Sequence, residues 1–255
     1  MDKTLRSESG RRRLAVVTGG AASIGQAYAQ RLAQDGHDVV IADLQAADET
    51  IGLVEAAGGV GTSIRCDVSR EDDVAGLLDK VMGLHGAADV LVHNAGIYPI
   101  HKFEDITFTE WKRVFAVNVD SLFLLTRAFL PPMRQKQWGR IVAQSTTAFH
   151  AGVPGFVHYV ASKGAVIGFI RTLASEVGVD GVTVNSIAPG LVRTQGTTSG
   201  PHDRMGLFEE VINTQAIKRT QVPSDLVGAL SYLVSDEASF VTGQTFAVDG
   251  GFVRT

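Results

Sequence analysis

The chain has 255 residues, of which 45% are hydrophobic and 20% are charged, and its formal net charge is -4 at pH 7. This balance is typical of a soluble globular protein and excludes a strongly basic surface, so we expect no nucleic-acid partner. The single cysteine, Cys66, excludes an internal disulfide and fits a reducing compartment, so we expect a cytoplasmic protein.

The N-terminal segment imitates a secretion signal, because the arginines at 11–13 precede the apolar run 14–17. Residues 18–20 end that run after four residues, so we predict a strand instead of a signal. We expect residues 1–10 to form a flexible tail and residues 11–255 to form one domain. No other apolar run approaches the length of a membrane span, so we expect no membrane partner.

Strand-like and helix-like periods alternate along the chain. Apolar or alternating runs predict strands at 14–17, 39–42, 60–66, 89–93, 141–143, 182–187 and 245–248. Helical periods predict helices at 24–34, 46–57, 70–84, 109–135, 156–177 and, started by Pro223, 224–235. Thr107 and Glu110 have capping-box spacing before the long helix. An inserted loop at 191–222 holds one short helix at 207–215. We therefore predict an α/β fold with one Rossmann-like doubly wound parallel sheet of about seven strands and helices on both faces.

A glycine-rich turn, running from Thr18 to Gly25, joins the first strand to the first helix. Gly19 permits a tight turn, small side chains let the backbone approach a pyrophosphate, and the helix start offers free amides to it. Such a turn is often only structural, so by itself it does not decide between a turn and a nucleotide site.

Asp43 favours dinucleotide binding. It ends the second predicted strand, 18 residues after Gly25, where a carboxylate can hold the two ribose hydroxyls of NAD and repel a 2′-phosphate. The neighbouring residues Leu44 and Ala22 offer no positive charge for NADP. We therefore predict NAD as the cofactor.

Tyr159 and Lys163 lie one helical turn apart in the run 156–177 and should share a face. Lowering a phenol pKa from about 10 toward neutrality needs roughly 4 kcal/mol. One positive charge at about 4 Å supplies about that much at an effective dielectric near 20. The pair therefore predicts a tyrosine that exchanges a proton near pH 7, although such spacing also occurs by chance on many helices.

Together these residues resemble the motifs of the classical short-chain dehydrogenase/reductase family, over nearly everything from Leu14 to Phe252. The marks are residues 18–25, Asp67-Val68, Asn94-Ala95-Gly96, Asn118, Tyr159 with Lys163, and Pro189-Gly190 followed by Val192 and Thr194. The resemblance implies reversible hydride transfer between nicotinamide and a carbinol carbon, a small-molecule alcohol or ketone substrate, and a symmetric homotetramer.

The resemblance also implies a role for each mark. Asp67 and Val68 would bracket the adenine, while Asn118 would sit at a kink in the long helix and hold a water in the proton path from Lys163. The expected cofactor-binding residues are Gly19, Ser23, Ile24, Gly25, Asp43, Asp67, Val68, Asn94, Ala95, Gly96, Tyr159, Lys163, Pro189, Gly190, Val192 and Thr194.

A side-chain hydroxyl should polarise the substrate carbonyl. The family places a serine thirteen positions before the tyrosine, and this position is Thr146 here, with Ser145 one place earlier. We predict Thr146, while a shift of one residue would give the role to Ser145. The expected catalytic residues are Asn118, Ser145, Thr146, Tyr159 and Lys163.

Within the family, residues 97–99 and the C-terminal segment 241–251 look most like dehydrogenases of secondary alcohols such as 1-phenylethanol. We expect a mostly apolar substrate pocket. Its predicted residues are Tyr98, Phe149, Val153, Leu191, Met205 and Phe208.

Two residues depart from the family pattern. Ser23 stands where the family has a glycine, which would reshape the pyrophosphate loop or add a hydroxyl contact, and His93 precedes Asn94 where the family has asparagine. A histidine at a strand end is more often structural than catalytic. The seven histidines show no close metal-ligand pairing in the sequence, so we predict no metal.

Two other functions stay open at this stage. The chain could be an epimerase or dehydratase that keeps its NAD bound, or a nucleotide-binding sensor without turnover. The intact pair of Tyr159 and Lys163 argues against the sensor.

Overall fold

A computed structural model describes residues 12–199 and 206–254, so the predicted tail at 1–10 lies outside the described residues. The described residues form a parallel sheet in the order β3-β2-β1-β4-β5-β6-β7. Its strands are β1 (Leu14–Thr18), β2 (Asp38–Asp43), β3 (Gly61–Arg65), β4 (Val90–His93), β5 (Gly139–Gln144), β6 (Val182–Pro189) and β7 (Thr245–Val248). The predicted doubly wound sheet is confirmed.

Helices follow the strands in alternation. They are α1 (Ser23–Gln34), α2 (Asp48–Ala56), α3 (Glu71–His85), α4 (Phe108–Phe115), α5 (Ser121–Gln135), α6 (Ala148–Ala151), α7 (Val157–Val177), α8 (Gln195–Thr198), α9 (Leu207–Thr214) and α10 (Val227–Val234). Helix α9 is the short helix predicted inside the insertion at 191–222, and α8 is an additional turn there.

Both faces of the sheet are buried, which explains why the central strands have continuous apolar sequences. Val16 and Leu91 face one apolar layer, in which they pack with Phe129 of α5. The alternate strand residues face a second layer, which contains Tyr28 of α1 and Leu230 of α10. The sheet is therefore a rigid base with helices on both sides.

The strand order reverses between β1 and β4, so their connections leave on opposite faces of the sheet. A crevice forms at such a point outside the carboxyl ends of parallel strands. Residues that follow β1, β2, β4, β5 and β6 all reach this edge. The fold therefore gathers chain segments as distant as residues 19 and 190 in one place.

The predicted long helix is α4 and α5 joined by a π-helical segment, Ala116–Asp120, which contains Asn118. Half of the expected capping box forms, because the Thr107 hydroxyl accepts the Glu110 N–H at 3.1 Å while the Glu110 carboxylate bonds His101 and His158. The expectation that no further run approaches the length of a membrane span was wrong, since the helical stretch Phe108–Gln135 has 28 residues and is long and apolar enough to cross a membrane, by length and composition only. Leu122, Leu125 and Phe129 bury one face of this helix in the core.

Most predicted boundaries differ from the structure by one or two residues, and the third strand and the helix after Pro223 are two examples. The third strand is Gly61–Arg65, shorter than predicted. The predicted helix at 224–235 begins as a 3-10 turn, Pro223–Asp225, and α10 starts only at Val227. The carboxylate of Asp225 accepts the Val222 N–H at 2.8 Å and is held by the Arg219 guanidinium, which closes the tighter turn first.

Candidate active site

A cavity of about 380 Å³ opens at the carboxyl edge of the sheet. Nineteen of the predicted site residues line it. They are Gly19, Ser23, Ile24, Gly25, Asp43, Asn94, Ala95, Gly96, Tyr98, Ser145, Thr146, Val153, Tyr159, Lys163, Pro189, Gly190, Leu191, Val192 and Thr194. The cavity thus joins the glycine-rich turn at one end to the Tyr159 cluster at the other.

The glycine-rich turn depends on close backbone contacts. Gly19 has φ +63°, and a β-carbon there would lie 2.9 Å from Ala95 Cα. A β-carbon on Gly25 would overlap the carbonyl oxygen of Gly19. Both positions therefore require glycine, and the close packing of the turn sets its backbone beside the start of α1, where free amides can bind a pyrophosphate.

Asp43 lies at the end of β2 on the rim of the cavity. One carboxylate oxygen accepts the Ala21 N–H and the other accepts the Gln45 N–H, each at 3.0 Å. These bonds fix the carboxylate beside the turn, where it fits the ribose hydroxyls of a dinucleotide.

Tyr159 lies in the cavity beside two other hydroxyl groups. Thr146 hydrogen-bonds the Tyr159 side chain, and the Tyr98 ring meets the Tyr159 ring edge-on with 6.2 Å between centroids. Burial raises the pKa of Tyr159 to about 12, because it outweighs the opposing hydrogen bond from Thr146. The expected fall of this pKa toward neutrality is therefore wrong for the protein without cofactor.

Lys163 is not among the groups that shift the pKa of Tyr159. Its side chain is buried, and its ammonium donates to the Gln144 carbonyl at 2.7 Å and lies 6.0 Å from the centre of the Tyr159 ring. Burial lowers the pKa of Lys163 to about 8. The expected fall in the Tyr159 pKa assumed a charge at about 4 Å from the phenol, whereas the ammonium of Lys163 is bonded to the edge of the sheet.

Ser145 points away from Tyr159. Its hydroxyl is buried and donates to the Lys163 carbonyl of α7 at 3.4 Å. Thr146 occupies the position beside the phenol instead, as the thirteen-residue spacing predicts.

Two predicted pocket residues lie elsewhere. The Phe149 ring packs against Gly164, where a β-carbon would come within 2.7 Å of it. Phe208 is buried beneath the Arg193 guanidinium, 4.6 Å from its ring centre. Leu207 and Val211, one turn apart on α9, line the cavity in place of Phe208, so the pocket prediction chose the wrong face of this helix.

Several other expectations concern residues outside the cavity wall. Asp67 accepts the Ser69 N–H at 3.0 Å and Val68 is buried in the core, so their contact with adenine stays a prediction. Met205 lies outside the described residues. Sequence reasoning also missed Phe156 and Phe252, which line the cavity although no family motif contains them.

Comparisons with known proteins place the chain in a family. The family model described as "Enoyl-(Acyl carrier protein) reductase" matches residues 19–253. A short-chain dehydrogenase/reductase of Armillaria gallica is 38% identical, with 94% of this chain and 96% of the relative covered. The chain belongs to the classical short-chain dehydrogenase/reductase family. It is therefore an oxidoreductase of a family that uses a nicotinamide cofactor.

Two further relatives carry names that state a substrate of their own. The cyclopentanol dehydrogenase of Comamonas sp. is 34% identical, with 94% of this chain and 96% of the relative covered. A Beutenbergia cavernae structure, assigned as an NAD(P)-dependent gluconate 5-dehydrogenase with NADP at low occupancy, matches with a TM-score of 0.88. It is 34% identical and covers 95% of this chain and 97% of its own.

Ser23, which departs from the family pattern, has the backbone conformation that a glycine would adopt there. Its φ is +59°, in the left-handed region that glycine adopts freely and other residues enter at a cost of roughly 1–2 kcal/mol. The short-chain dehydrogenase/reductase turn is therefore preserved here, with a hydroxyl added on the cavity wall.

Asn118 lies behind the cavity and not on its wall. Its Oδ1 accepts the Ile97 N–H at 2.9 Å, and its Nδ2 donates to the Ile97 carbonyl at 2.9 Å and to the Ser162 hydroxyl at 3.0 Å. Asn118 lies in the π-helical segment, which is a local structure at which helices often kink, so the expected kink stays a prediction. The side chain thus ties the loop after β4 to the helix that carries Tyr159.

The structure brings together a group of potential metal ligands that the sequence spacing separates. Glu110 Oε1 lies 2.7 Å from His101 Nδ1 and 3.2 Å from the buried His158 Nε2. A metal on this Nε2 would leave the His158 Nδ1 proton without an acceptor among the described residues, whereas histidine ligands almost always donate that proton. We interpret the group as hydrogen-bonded, and the absence of a metal stays a prediction.

Proposed function

We propose that the protein is an NAD-dependent oxidoreductase that interconverts a secondary alcohol and its ketone. The observation that carries this proposal is that Thr146, Tyr159 and buried Lys163 lie together on the wall of the cavity whose other end is the glycine-rich turn. A dinucleotide that lies along the turn would bring its nicotinamide end to these residues.

Some of the cavity residues bind the cofactor and others transfer the proton. The nicotinamide supplies the hydride when it is bound. In ketone reduction, Tyr159 donates its proton to the oxygen of the carbonyl, and Thr146 donates a hydrogen bond to the same oxygen. Lys163 holds the nicotinamide ribose, and its buried ammonium lies 6.0 Å from the centre of the Tyr159 ring.

The substrate end of the cavity favours a hydrophobic alcohol. Val153, Phe156, Leu191, Leu207 and Val211 contribute apolar side chains to it. Apolar walls discriminate weakly between substrates that differ by a methylene, so we expect activity on several secondary alcohols. The cyclopentanol dehydrogenase relative supports this substrate class.

Asp43 supports NAD in preference to NADP. Its carboxylate lies at the end of β2 and would repel a 2′-phosphate, while neighbouring Leu44 and Ala22 carry no charge. The relative with NADP at low occupancy favours the other cofactor, so the preference has to be measured. Asp43→Ala should weaken NAD and relax the discrimination, and equal catalytic efficiency of the wild type with both cofactors would refute the preference.

The test of the proposed function is a panel of cyclic, aliphatic and aryl secondary alcohols and ketones, with NAD(H) and NADP(H), followed by the absorbance of the reduced cofactor. Turnover of apolar members with NAD supports the proposal. Cofactor that copurifies without any net release of NADH would instead indicate an epimerase or dehydratase. Binding of NADH without turnover of any compound would indicate a sensor.

We also propose that the protein is a cytoplasmic homotetramer. Exposed aromatic side chains on the long helix support association, since Phe108 is 73% exposed and Phe123 is 49% exposed. Sedimentation velocity of the purified protein tests the oligomeric state, and a monomer at micromolar concentration would contradict it. Microscopy of a fluorescent fusion tests the location.

A further inference from the structure

His93 is the last residue of β4, directly before the segment 94–96 on the cavity wall. Its ring is fully buried, and Nε2 lies 2.7 Å from the Ser121 hydroxyl at the start of α5. The end of the central strand therefore touches the long helix at a point three residues after Asn118.

The hydrogen-bond donors along this contact can be assigned. The Ser121 hydroxyl donates its only proton to the Val117 carbonyl at 2.5 Å, so its oxygen accepts from His93. Nε2 of His93 therefore carries a proton. The ring is neutral, because burial and then the nearby Lys163 charge lower the pKa of His93 to about 3.

The Val117 carbonyl needs this hydroxyl because of the π-helical segment. In an α-helix the Ser121 N–H would bond to the Val117 carbonyl, but here it donates to the Ala116 carbonyl, one residue earlier. The Ser121 side chain replaces the missing backbone donor. The chain from His93 through Ser121 to Val117 thus satisfies a backbone group that the π turn leaves without its helical partner.

The π turn in turn determines where Asn118 points. Asn118 bonds both backbone groups of Ile97 and the hydroxyl of Ser162, and a β-carbon on Gly96 would lie 3.2 Å from its Oδ1 and 3.4 Å from Lys163 Nζ. A shift of the π turn would therefore disturb a side chain that packs near Gly96, as Lys163 does.

We infer that His93 is a positioning residue for the reaction, which acts by donating its Nε2 proton to Ser121 and so holding the π turn that places Asn118. His93 touches neither cofactor nor substrate. This inference rests on the proposed oxidoreductase function, and it gives a specific task to the histidine that replaces the asparagine usual in the family.

The first test compares His93→Leu, His93→Gln and Ser121→Ala. His93→Leu and Ser121→Ala should each lower kcat about tenfold at unchanged KM for the cofactor, because misplaced groups slow the reaction without altering the nucleotide end. His93→Gln should restore most of kcat, since its amide donates from nearly the position of Nε2. Equal losses in His93→Gln and His93→Leu would overturn the inference.

His37→Ala is the matched control. His37 is also buried and hydrogen-bonded through its ring, to the Leu32 carbonyl at 3.1 Å, but it precedes β2 at the opposite edge of the sheet. The His37→Ala variant should have a lower melting temperature and less than a twofold change in kcat. A fall in kcat as large as that of His93→Leu would mean that any loss of a buried histidine has the same effect.

A second test uses the Asn118→Ala background. If His93 acts through Asn118, His93→Leu should lower kcat there by less than twofold, while it still lowers the melting temperature. A full tenfold loss of kcat in that background would contradict the assigned route.

Hydrogen exchange separates failure of this inference from failure of the proposed function. His93→Leu should speed amide exchange of residues 116–121 at least tenfold, and His37→Ala should leave it unchanged. Unchanged exchange in His93→Leu overturns the inference whatever the activity. A wild type that turns over no compound, with faster exchange in His93→Leu, refutes the proposed function and leaves the structural link in place.

Discussion

The glycine-rich turn and the catalytic cluster line the same cavity, but they depend on different properties of the chain. At the turn, Gly19 and Gly25 are required because backbone atoms lie where side chains would be. At the cluster, Tyr159 and Lys163 depend on burial, on the neighbouring Thr146 side chain and on the bond from Lys163 to the Gln144 carbonyl. The backbone conformation of the turn can therefore be predicted from the spacing of its glycines. The pKa values of the cluster can be predicted only when the neighbouring groups are known.

The largest effect that separates the two regions should come from Tyr159→Phe. It removes the proton donor and little binding surface, so kcat should fall by at least about 10² to 10⁴-fold, while NADH affinity changes by less than about threefold. Tyr232→Phe, on the surface of α10, is the control. Steady-state kinetics and NADH fluorescence titration measure the two quantities. Substantial turnover by a folded Tyr159→Phe protein would sink the assignment.

Thr146→Ala and Ser145→Ala should differ sharply. Thr146 contacts the phenol, so its loss should cost about 10²-fold in kcat, as for removal of one donor to a developing oxyanion. Ser145→Ala should stay within about threefold, because that hydroxyl faces the backbone of α7. Thr146→Ser is the control that keeps the hydroxyl. If Thr146→Ala retains most of kcat and Ser145→Ala loses it, the register shifted by one residue is correct.

Lys163→Met should stabilise the protein without cofactor, because the wild type buries a charge. The folded pKa of about 8 lies below the unfolded value of 10.5, so the penalty is absent above pH 10.5, grows as the pH falls toward 8 and is complete below it. We expect a gain of about 2 kcal/mol at pH 7, after the lost bond to Gln144 is allowed for.

Urea unfolding of Lys163→Met between pH 7 and 10 measures this gain, with Lys80→Met on the exposed face of α3 as the control. The gain should shrink as the pH rises. A Lys163→Met protein that is less stable than the wild type at pH 7 would show that the ammonium is not strained by its burial.

Ser23→Gly should have the smallest effect, which concerns backbone conformation. Release from φ +59° should stabilise the fold by about 0.5 kcal/mol, since the relief is partly offset by the greater freedom of glycine in the unfolded chain. Gln137→Gly is a matched control, because Gln137 has φ +54° and lies outside the cavity.

Thermal unfolding and NADH titration of Ser23→Gly and Gln137→Gly distinguish the two roles considered for this serine. Weaker NADH binding in Ser23→Gly alone would assign the hydroxyl to the pyrophosphate. Unchanged NADH binding would show that the Ser23 hydroxyl does not contact the cofactor and that the residue only replaces a glycine in a strained conformation. Loss of stability in both variants would contradict the strain argument.

The fold and the residues of the cavity could largely be predicted from the sequence, because periodicity and glycine spacing report backbone geometry directly. The orientation of side chains on short elements could not. Phe208 and Leu207 are adjacent on α9, and only packing against Arg193 decides which one faces the cavity.

The pKa values of the site and its group of potential metal ligands also could not be predicted from the sequence. The spacing of Tyr159 and Lys163 says that they share a helix face, but the Gln144 carbonyl that holds the ammonium comes from β5. In the same way, His101, Glu110 and His158 meet only because the loop after β4, α4 and α7 converge. Tertiary contacts of this kind decide pKa values and ligand groups, and local patterns do not contain them.

The most direct test of hydride transfer is to follow the hydrogen itself. The wild type would be incubated with NAD and a secondary alcohol that carries deuterium on its carbinol carbon, chosen from the active compounds of the panel, and the cofactor would be examined by mass spectrometry. We expect one deuterium in the reduced nicotinamide and none in the same mixture with Tyr159→Phe. Deuterium that is retained in the alcohol or lost to water while the wild type transforms its substrate would contradict the proposed function.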